Sequence, residues 1–228
     1  NHGVDGSYYL NFTEKDAKKI AFVASFGRES LSAEEQEQVT PMLREYSSIS
    51  VREDSAVQIL DKMGLDSVCL IDPTLQVDKE EWLRLAANRK VKGKYLLLFL
   101  LYNEDNGATE YAVKVAKEKN LKLVKLSWEL KKPKSVDVLF THRSPEVFLS
   151  LFANADCIVT NSFHGVAFSI NLNRQFVFVP RSEFNGRIES LLRLTGLENR
   201  KVVDINNIDI VNEEVDYSEV NLRLNSER

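Results

Sequence analysis

Residues 156–173 read DCIVTNSFHGVAFSINLN, a segment whose two ends differ in pattern. Its apolar start, CIV, is typical of a buried strand, and its last part has the length and apolar character of a buried helix. Between them stand Thr160, which is expected to end the strand, and Asn161 and Ser162, one of which is expected to be the N-cap of the helix. A buried strand that passes directly into a helix predicts a βα unit of a parallel sheet.

The same alternation of apolar runs and helical segments extends along most of the chain. Runs of strand length occupy residues 19–27, 47–51, 67–71, 94–102, 121–127 and 175–180, with helical segments between most of them. This order predicts an α/β fold with a mostly parallel, doubly wound (Rossmann-like) sheet flanked by helices. Residues 94–197 are expected to form one such sheet, while residues 19–75 either extend it or form a neighbouring sheet.

The composition narrows the classes of function. The 228 residues carry a formal net charge of −4, so no overall basic field attracts nucleic acid, and no nucleic-acid partner is expected. The longest apolar run, residues 95–102, is far shorter than the about 20 residues that span a bilayer. No signal peptide is visible at the start of the sequence, and a cytoplasmic location is expected.

Several features of the sequence favour structural roles. Cys69 and Cys157 lack any CxxC or Cys/His spacing, so no metal site is predicted, and both are expected in strands as small apolar residues. The basic segment 121–134 alternates with apolar residues, as in an edge or exposed strand with a solvated face. Asp72, before a proline, predicts a turn, and His142 is expected in a surface loop.

Polar residues follow several predicted strands, at the carboxyl edge where parallel sheets bind ligands. These junctions read ASFG, SVRED, TNSFHG and VPRSEFNGR. They supply the candidate binding and catalytic residues, which are Ser25, Gly27, Arg52, Asn161, Ser162, His164, Gly165 and Arg187.

His164 is the candidate for proton transfer, because an imidazole can donate or accept a proton near neutral pH. The alternative is a histidine that only caps its own helix. Gly165 lacks a side chain in the first helical turn, which is expected to let an anionic ligand approach the backbone N–H groups.

The guanidinium group of Arg52 suits a phosphate or a carboxylate. Its partner is expected to be such a ligand or one of the neighbouring acids, Glu53 and Asp54. Arg187 presents the same choice between a ligand and a pairing within the protein.

Residues 144–180, SPEVFLSLFANADCIVTNSFHGVAFSINLNRQFVFVP, resemble the polysaccharide pyruvyl transferase family. KIAFVASFG, ISVREDSAV, LIDPTL and RIESLLRLTGL look like further blocks of that family in the same order, so the resemblance covers about residues 8–204. Some members have an arginine two residues before the histidine of the turn. Ser162 stands there in this chain, which removes one cation.

The resemblance implies the C-terminal half of a two-domain, glycosyltransferase-B-like protein. Residues 1–18 would be a remnant of the N-terminal or inter-domain segment, residues 19–204 the Rossmann-like domain, and residues 205–228 a truncated polar tail. The missing N-terminal domain of the same chain would be a partner, and little turnover is expected from the 228 residues alone.

The resemblance also implies a bacterial enzyme of exopolysaccharide biosynthesis. It would move the pyruvyl group of phosphoenolpyruvate to sugar hydroxyls of a surface or capsular precursor and form a ketal, without a cofactor. His164 matches the family histidine and would supply a proton, and Arg52 matches an arginine suited to the donor anion. Alternatives are a nucleotide-sugar transferase of the glycosyltransferase-B type and a non-catalytic domain that binds saccharides or anions.

Ser162, the N–H groups of the following turn and Arg52 are expected to form one anion site, with His164 beside it. The reason is that both junctions follow strands and begin helices, so parallel pairing would place them on one edge of a sheet.

Overall fold

The computed structural model describes residues 4–14, 16–101, 105–141 and 143–228. The chain divides into two compact units, residues 1–73 and 74–228. The predicted Rossmann-like segment, residues 19–204, includes strands of both units, and the predicted boundaries at residues 18 and 204 stay predictions.

The first unit is built on a three-stranded sheet in the order β1–β2–β3, with parallel pairing throughout. Its elements are β1 (Lys19–Ala24), α1 (Ala33–Leu43), β2 (Tyr46–Val51), α2 (Asp54–Lys62) and β3 (Val68–Cys69), preceded by a 3-10 helix, Gly6–Tyr9. Buried apolar residues of α1, β2 and α2 form its core: Val39, Leu43, Ile49, Val51, Ala56, Ile59 and Leu60.

Strand β1 has a bulge directly before the ASFG junction. Its register to β2 shifts between Ala21 and Ala24, and Val23 has a φ of 51°. The N–H of Val23 donates to Oγ of Ser50 (2.8 Å), and that hydroxyl donates to the carbonyl of Ala21 (3.1 Å). A β-branched residue rarely adopts this conformation, so the hydroxyl of Ser50 supports the bulge where the chain turns towards Ser25.

The second unit is built on a five-stranded sheet in which all paired strands are parallel. The remaining elements, from the short helix at the boundary onward, are α3 (Pro73–Gln76), α4 (Lys79–Leu85), β4 (Tyr95–Phe99), α5 (Ala108–Glu118), β5 (Lys122–Ser127), β6 (Val138–Thr141), α6 (Pro145–Ala153), β7 (Cys157–Thr160), α7 (Phe163–Asn171), β8 (Phe176–Phe178), α8 (Gly186–Thr195) and α9 (Tyr217–Glu227).

The strand order of this sheet is β6–β5–β4–β7–β8. The chain therefore starts in the middle at β4, adds two strands on one side, and returns to add β7 and β8 on the other. This order confirms the predicted doubly wound α/β sheet, and residues 19–69 lie in a neighbouring sheet rather than in an extension of it. The direction of winding changes between β4 and β7, which is where doubly wound proteins bind ligands.

The interior strands have apolar side chains on both faces because helices cover both faces of the sheet. Leu96, Leu97 and Leu98 of β4 are fully buried, as are Ile158 and Val159 of β7. The predicted strand at residues 94–102 is thus confirmed in its central part, and its last residue lies outside the described ranges.

The basic segment corrects a sequence prediction. Strand β5 lies between β4 and β6 and is an interior strand rather than an edge strand. Lys125 is only 8% exposed, and its Nζ reaches Glu129 at 2.7 Å. The edge is formed by β6, whose short sequence was not predicted as a strand.

Two smaller differences concern a cysteine and the tail. Cys157 is a buried strand residue, as predicted, and burial raises the pKa of its thiol to about 11; Cys69 is in β3 but exposed. The tail beyond residue 204 contains α9, which buries Val220 and Leu224. Within the described ranges, no helix is long and apolar enough to cross a membrane.

Candidate functional site

The TNSFHG turn connects β7 to α7 at the point where the winding direction changes. Thr160 pairs with Phe99 in the sheet, and its hydroxyl donates to the carbonyl of Phe99 at 2.6 Å. Oδ1 of Asn161 accepts from the N–H of Leu101 at 2.7 Å, just beyond the end of β4. The turn is therefore fixed to the carboxyl end of β4, at the position expected for a ligand site.

Ser162 is the N-cap of α7. Its Oγ accepts from the N–H of Gly165 at 3.3 Å, and its own N–H donates to Oγ1 of Thr160 at 3.1 Å. Of the two residues proposed as the cap, the structure thus selects Ser162. Asn161 and Ser162 are 3% and 1% exposed, so the structure places them in the support of the turn, and their contact with a substrate stays a prediction.

Gly165 is explained by packing of the helix against the strand. A Cβ atom at this position would lie 2.2 Å from Oγ1 of Thr160, far inside any real contact distance. The missing side chain makes room for Thr160, a packing reason for glycine that the sequence prediction did not include. Binding of a ligand by Gly165 stays a prediction.

His164 is the second residue of α7 and the exposed one in its first turn, between the buried residues Phe163 and Gly165. Its imidazole meets the ring of Phe163 edge-on, with the ring centroids 5.3 Å apart. Ser162 supplies the side-chain oxygen that caps this helix. An exposed imidazole at this edge of the sheet can exchange a proton with a bound molecule.

Arg187 lies in the first turn of α8, after the strand next to β7. Its guanidinium carbon lies 5.7 Å from the centroid of the Phe163 ring, in a cation–π contact. Phe163 thus contacts both His164 and Arg187. The structure brings these two sequence-predicted residues to one place within the second unit.

Arg52 has an acidic partner that the sequence prediction did not consider. Its Nη1 lies 2.7 Å from Oδ2 of Asp72, a residue predicted to serve only a turn. The Asp72 side chain is 2% exposed, so a cation beside it offsets the cost of burying its charge. Arg52 follows β2 and His164 follows β7, which belong to different sheets. The prediction that one sheet edge holds both is therefore wrong, and a shared anion site stays a prediction.

Glu53 holds the ASFG junction after β1 through hydrogen bonds, and it was not predicted as a site residue. Its Oε1 accepts from the hydroxyl of Ser25 at 2.8 Å and from the N–H of Gly27 at 3.0 Å. Glu53 is fully buried, and among the described residues its Oε2 has no hydrogen-bond partner. The sequence carries a signal for this role. Glu53 is an acidic residue just after β2, and the small residues Ser25 and Gly27 follow the adjacent strand, β1.

A cavity of about 1120 Å³ opens in the first unit, and Ser25 lies on its wall. Its other lining residues combine aromatic, charged and apolar side chains, among them Tyr9, Phe26, Arg28 and Glu35.

His142 lies outside the described residues. Within the described ranges, no group of three or more His, Cys, Asp or Glu residues could hold a metal ion.

The chain also aligns with solved structures at low sequence identity. The UDP-GlcNAc 2-epimerase of Methanocaldococcus jannaschii aligns at 14% identity and a TM-score of 0.46, over 82% of this chain and 58% of that one. The wall teichoic acid polymerase TagF aligns at 13% identity and a TM-score of 0.40, over 72% of this chain and 46% of that one. The chain thus spans less than two thirds of either structure. A comparison with curated proteins gives no match.

The chain also matches a protein-family model. The sequence model described as polysaccharide pyruvyl transferase matches residues 3–183. This match includes β1 through β8 and the whole TNSFHG turn. It covers well over half of the 228 residues, and the chain belongs to the polysaccharide pyruvyl transferase family.

Proposed function

We propose that the protein transfers the pyruvyl group of phosphoenolpyruvate to two hydroxyls of a saccharide, as a cytoplasmic step in making a bacterial surface or capsular polysaccharide. The product is a cyclic ketal, and phosphate is released. The observation that carries the proposal is the exposed imidazole of His164, which lies at the winding switch point of the sheet and next to the Phe163–Arg187 contact. Family membership supports the transferase class.

The chemistry requires a proton at one carbon of the donor. Protonation of the terminal CH₂ carbon of phosphoenolpyruvate produces a methyl group and a positively charged carbon that carries the phosphate oxygen. One sugar hydroxyl adds to that carbon, phosphate leaves, and the second hydroxyl completes the ketal, with both hydroxyl protons released. The exposed imidazole of His164 is suited to donate the first proton and to be recharged from solvent.

The donor also requires cationic groups, because it carries a carboxylate and a phosphate. Arg187 is next to α7 through Phe163 and can bind one of these anions in bidentate fashion. The N-terminal end of α7 adds a favourable dipole for a negative charge.

The test uses the protein at its full natural length, incubated with phosphoenolpyruvate and a mixture of saccharides. We expect release of phosphate that depends on the saccharide, and no release of nucleotide from UDP-sugars. Release of nucleotide instead would identify a nucleotide-sugar transferase. Binding of saccharide without either release would identify a non-catalytic binding protein.

A further inference from the structure

Phe184 has a left-handed backbone although its side chain is largely outside the core. Its φ is 64°, and 47% of the residue is exposed. A bulky residue in this conformation is strained. Burial does not account for a phenylalanine here, because nearly half of the residue is exposed. Strained residues of this kind cluster at ligand sites, where the surrounding structure enforces the conformation.

The surrounding loop is fixed by side-chain amides. Oδ1 of Asn185 accepts from the N–H of Arg181 at 3.0 Å, and Nδ2 of Asn185 donates to the carbonyl of Arg181 at 2.8 Å. Nδ2 of Asn106 donates to the carbonyl of Pro180 at 3.3 Å. These contacts close residues 181–185 into a short loop that presents Phe184.

The same loop places a cation beside the ring. The guanidinium carbon of Arg181 lies 5.9 Å from the centroid of the Phe184 ring. An exposed aromatic face next to a fork of N–H donors offers both an apolar and a polar contact.

The loop is also on the ligand-binding edge of the sheet. It follows β8, which pairs with β7, and it leads directly into α8. The first turn of α8 carries Arg187, which contacts Phe163 beside His164. The loop therefore flanks the same carboxyl edge as the proposed proton donor.

We propose that Phe184 and Arg181 bind a pyranose ring of the saccharide acceptor, an inference that rests on the proposed function. The C–H face of a pyranose packs against an aromatic ring, and its hydroxyls accept hydrogen bonds from the guanidinium group. Neither a nucleotide nor phosphoenolpyruvate is required for this contact.

Saturation-transfer NMR on the 228-residue protein tests the proposal with the methyl glycosides of glucose, galactose and mannose as probes. We expect transfer to ring C–H protons of at least one glycoside, with binding about fivefold weaker in Phe184→Ala. Phe184→Tyr keeps the aromatic face and should keep the transfer. Absence of transfer to the wild type, or equal transfer to Phe184→Ala, would overturn the proposal.

A pair of variants checks the strain separately. Phe184→Gly and Phe184→Ala both remove the ring, but only glycine adopts the left-handed backbone without strain. The glycine variant should therefore melt about 2 to 4 °C above the alanine variant, although both bind the glycoside more weakly than the wild type. Equal melting temperatures would remove the premise that Phe184 is held against its preference.

The two proposals fail in different ways. If the full-length protein releases no phosphate from phosphoenolpyruvate but glycosides still bind through Phe184, the proposed reaction is wrong and the saccharide site stands. If phosphate is released and the Phe184→Ala variant binds glycosides as well as the wild type, the site is wrong and the reaction stands.

Discussion

The hydroxyl of Thr160 occupies the space that a side chain on Gly165 would need, 2.2 Å from the ideal Cβ position. The same hydroxyl donates to the carbonyl of Phe99 and accepts from the N–H of Ser162. One buried side chain thus sets how closely α7 approaches β4 and β7. His164 is next to this contact, so its position depends on the fit between Thr160 and Gly165.

Gly165→Ala should lower the free energy of unfolding by about 1–3 kcal/mol, because the added methyl group overpacks a filled space. In a Thr160→Ala background the same change should cost less, since the nearest atom is gone. Urea denaturation measures both costs. Gly64→Ala is the control: Gly64 has φ 68° and open space around its Cβ position, so its cost should not depend on Thr160. Equal costs of Gly165→Ala in both backgrounds would contradict the packing account.

Arg52→Gln should lower the free energy of unfolding on the order of 2 kcal/mol, because it leaves the buried carboxylate of Asp72 without this cation. Adding Asp72→Asn should recover part of the loss. The control is Arg84→Gln, since the Arg84–Glu81 pair is exposed and such pairs contribute less than about 1 kcal/mol. If Arg52→Gln is as mild as this control, the ion pair with Asp72 is not structural.

Glu53→Ala should lower the free energy of unfolding by about 2 to 3 kcal/mol, because two donors lose a carboxylate acceptor. Exchange of the Gly27 amide hydrogen should also become faster. Glu53→Gln keeps one oxygen in place and should have a smaller effect on both measurements. Unchanged protection of the Gly27 amide in the alanine variant would show that Glu53 does not hold the junction.

The acid stability of the first unit should depend on Glu35. Hydrogen bonds from Arg28 and from the N–H of Ser32 lower the pKa of Glu35 from 4.5 to about 2. A carboxyl with a lowered folded-state pKa stabilises the protein above its unfolded pKa, and this contribution is lost as the pH falls from about 4.5 towards about 2. Glu35→Gln should flatten the stability curve in that window. An unchanged slope in Glu35→Gln would contradict the assignment.

Much of the fold is predictable because local signals agree with it. Ser32 and Glu35 form a capping box at the start of α1, and Gly196 has a left-handed backbone at the end of α8; both features depend on residues close together in the sequence. The failure at β5 has a physical cause. Lysines among apolar residues suggested an exposed face there. Lys125 instead buries its aliphatic stem and extends its ammonium group to Glu129, so this charged residue is not exposed.

The candidate site is predictable only where its contacts are local. The cap of Ser162 lies three residues from its partner and was predicted as one of two alternatives. The pairing of Arg52 with Asp72 spans 20 residues, and the contact of Arg187 with Phe163 joins two helices. Such partners depend on how the strands are ordered, which no local pattern in the sequence specifies.

His164 is proposed to donate the proton that activates phosphoenolpyruvate. The most direct measurement is saccharide-dependent phosphate release by full-length His164→Ala protein, together with its melting temperature. We predict a rate lower by about 10²- to 10⁴-fold with unchanged folding, as for the loss of a catalytic acid. A wild-type rate combined with a lower melting temperature would contradict the claim and leave His164 with a structural role in the first turn of α7.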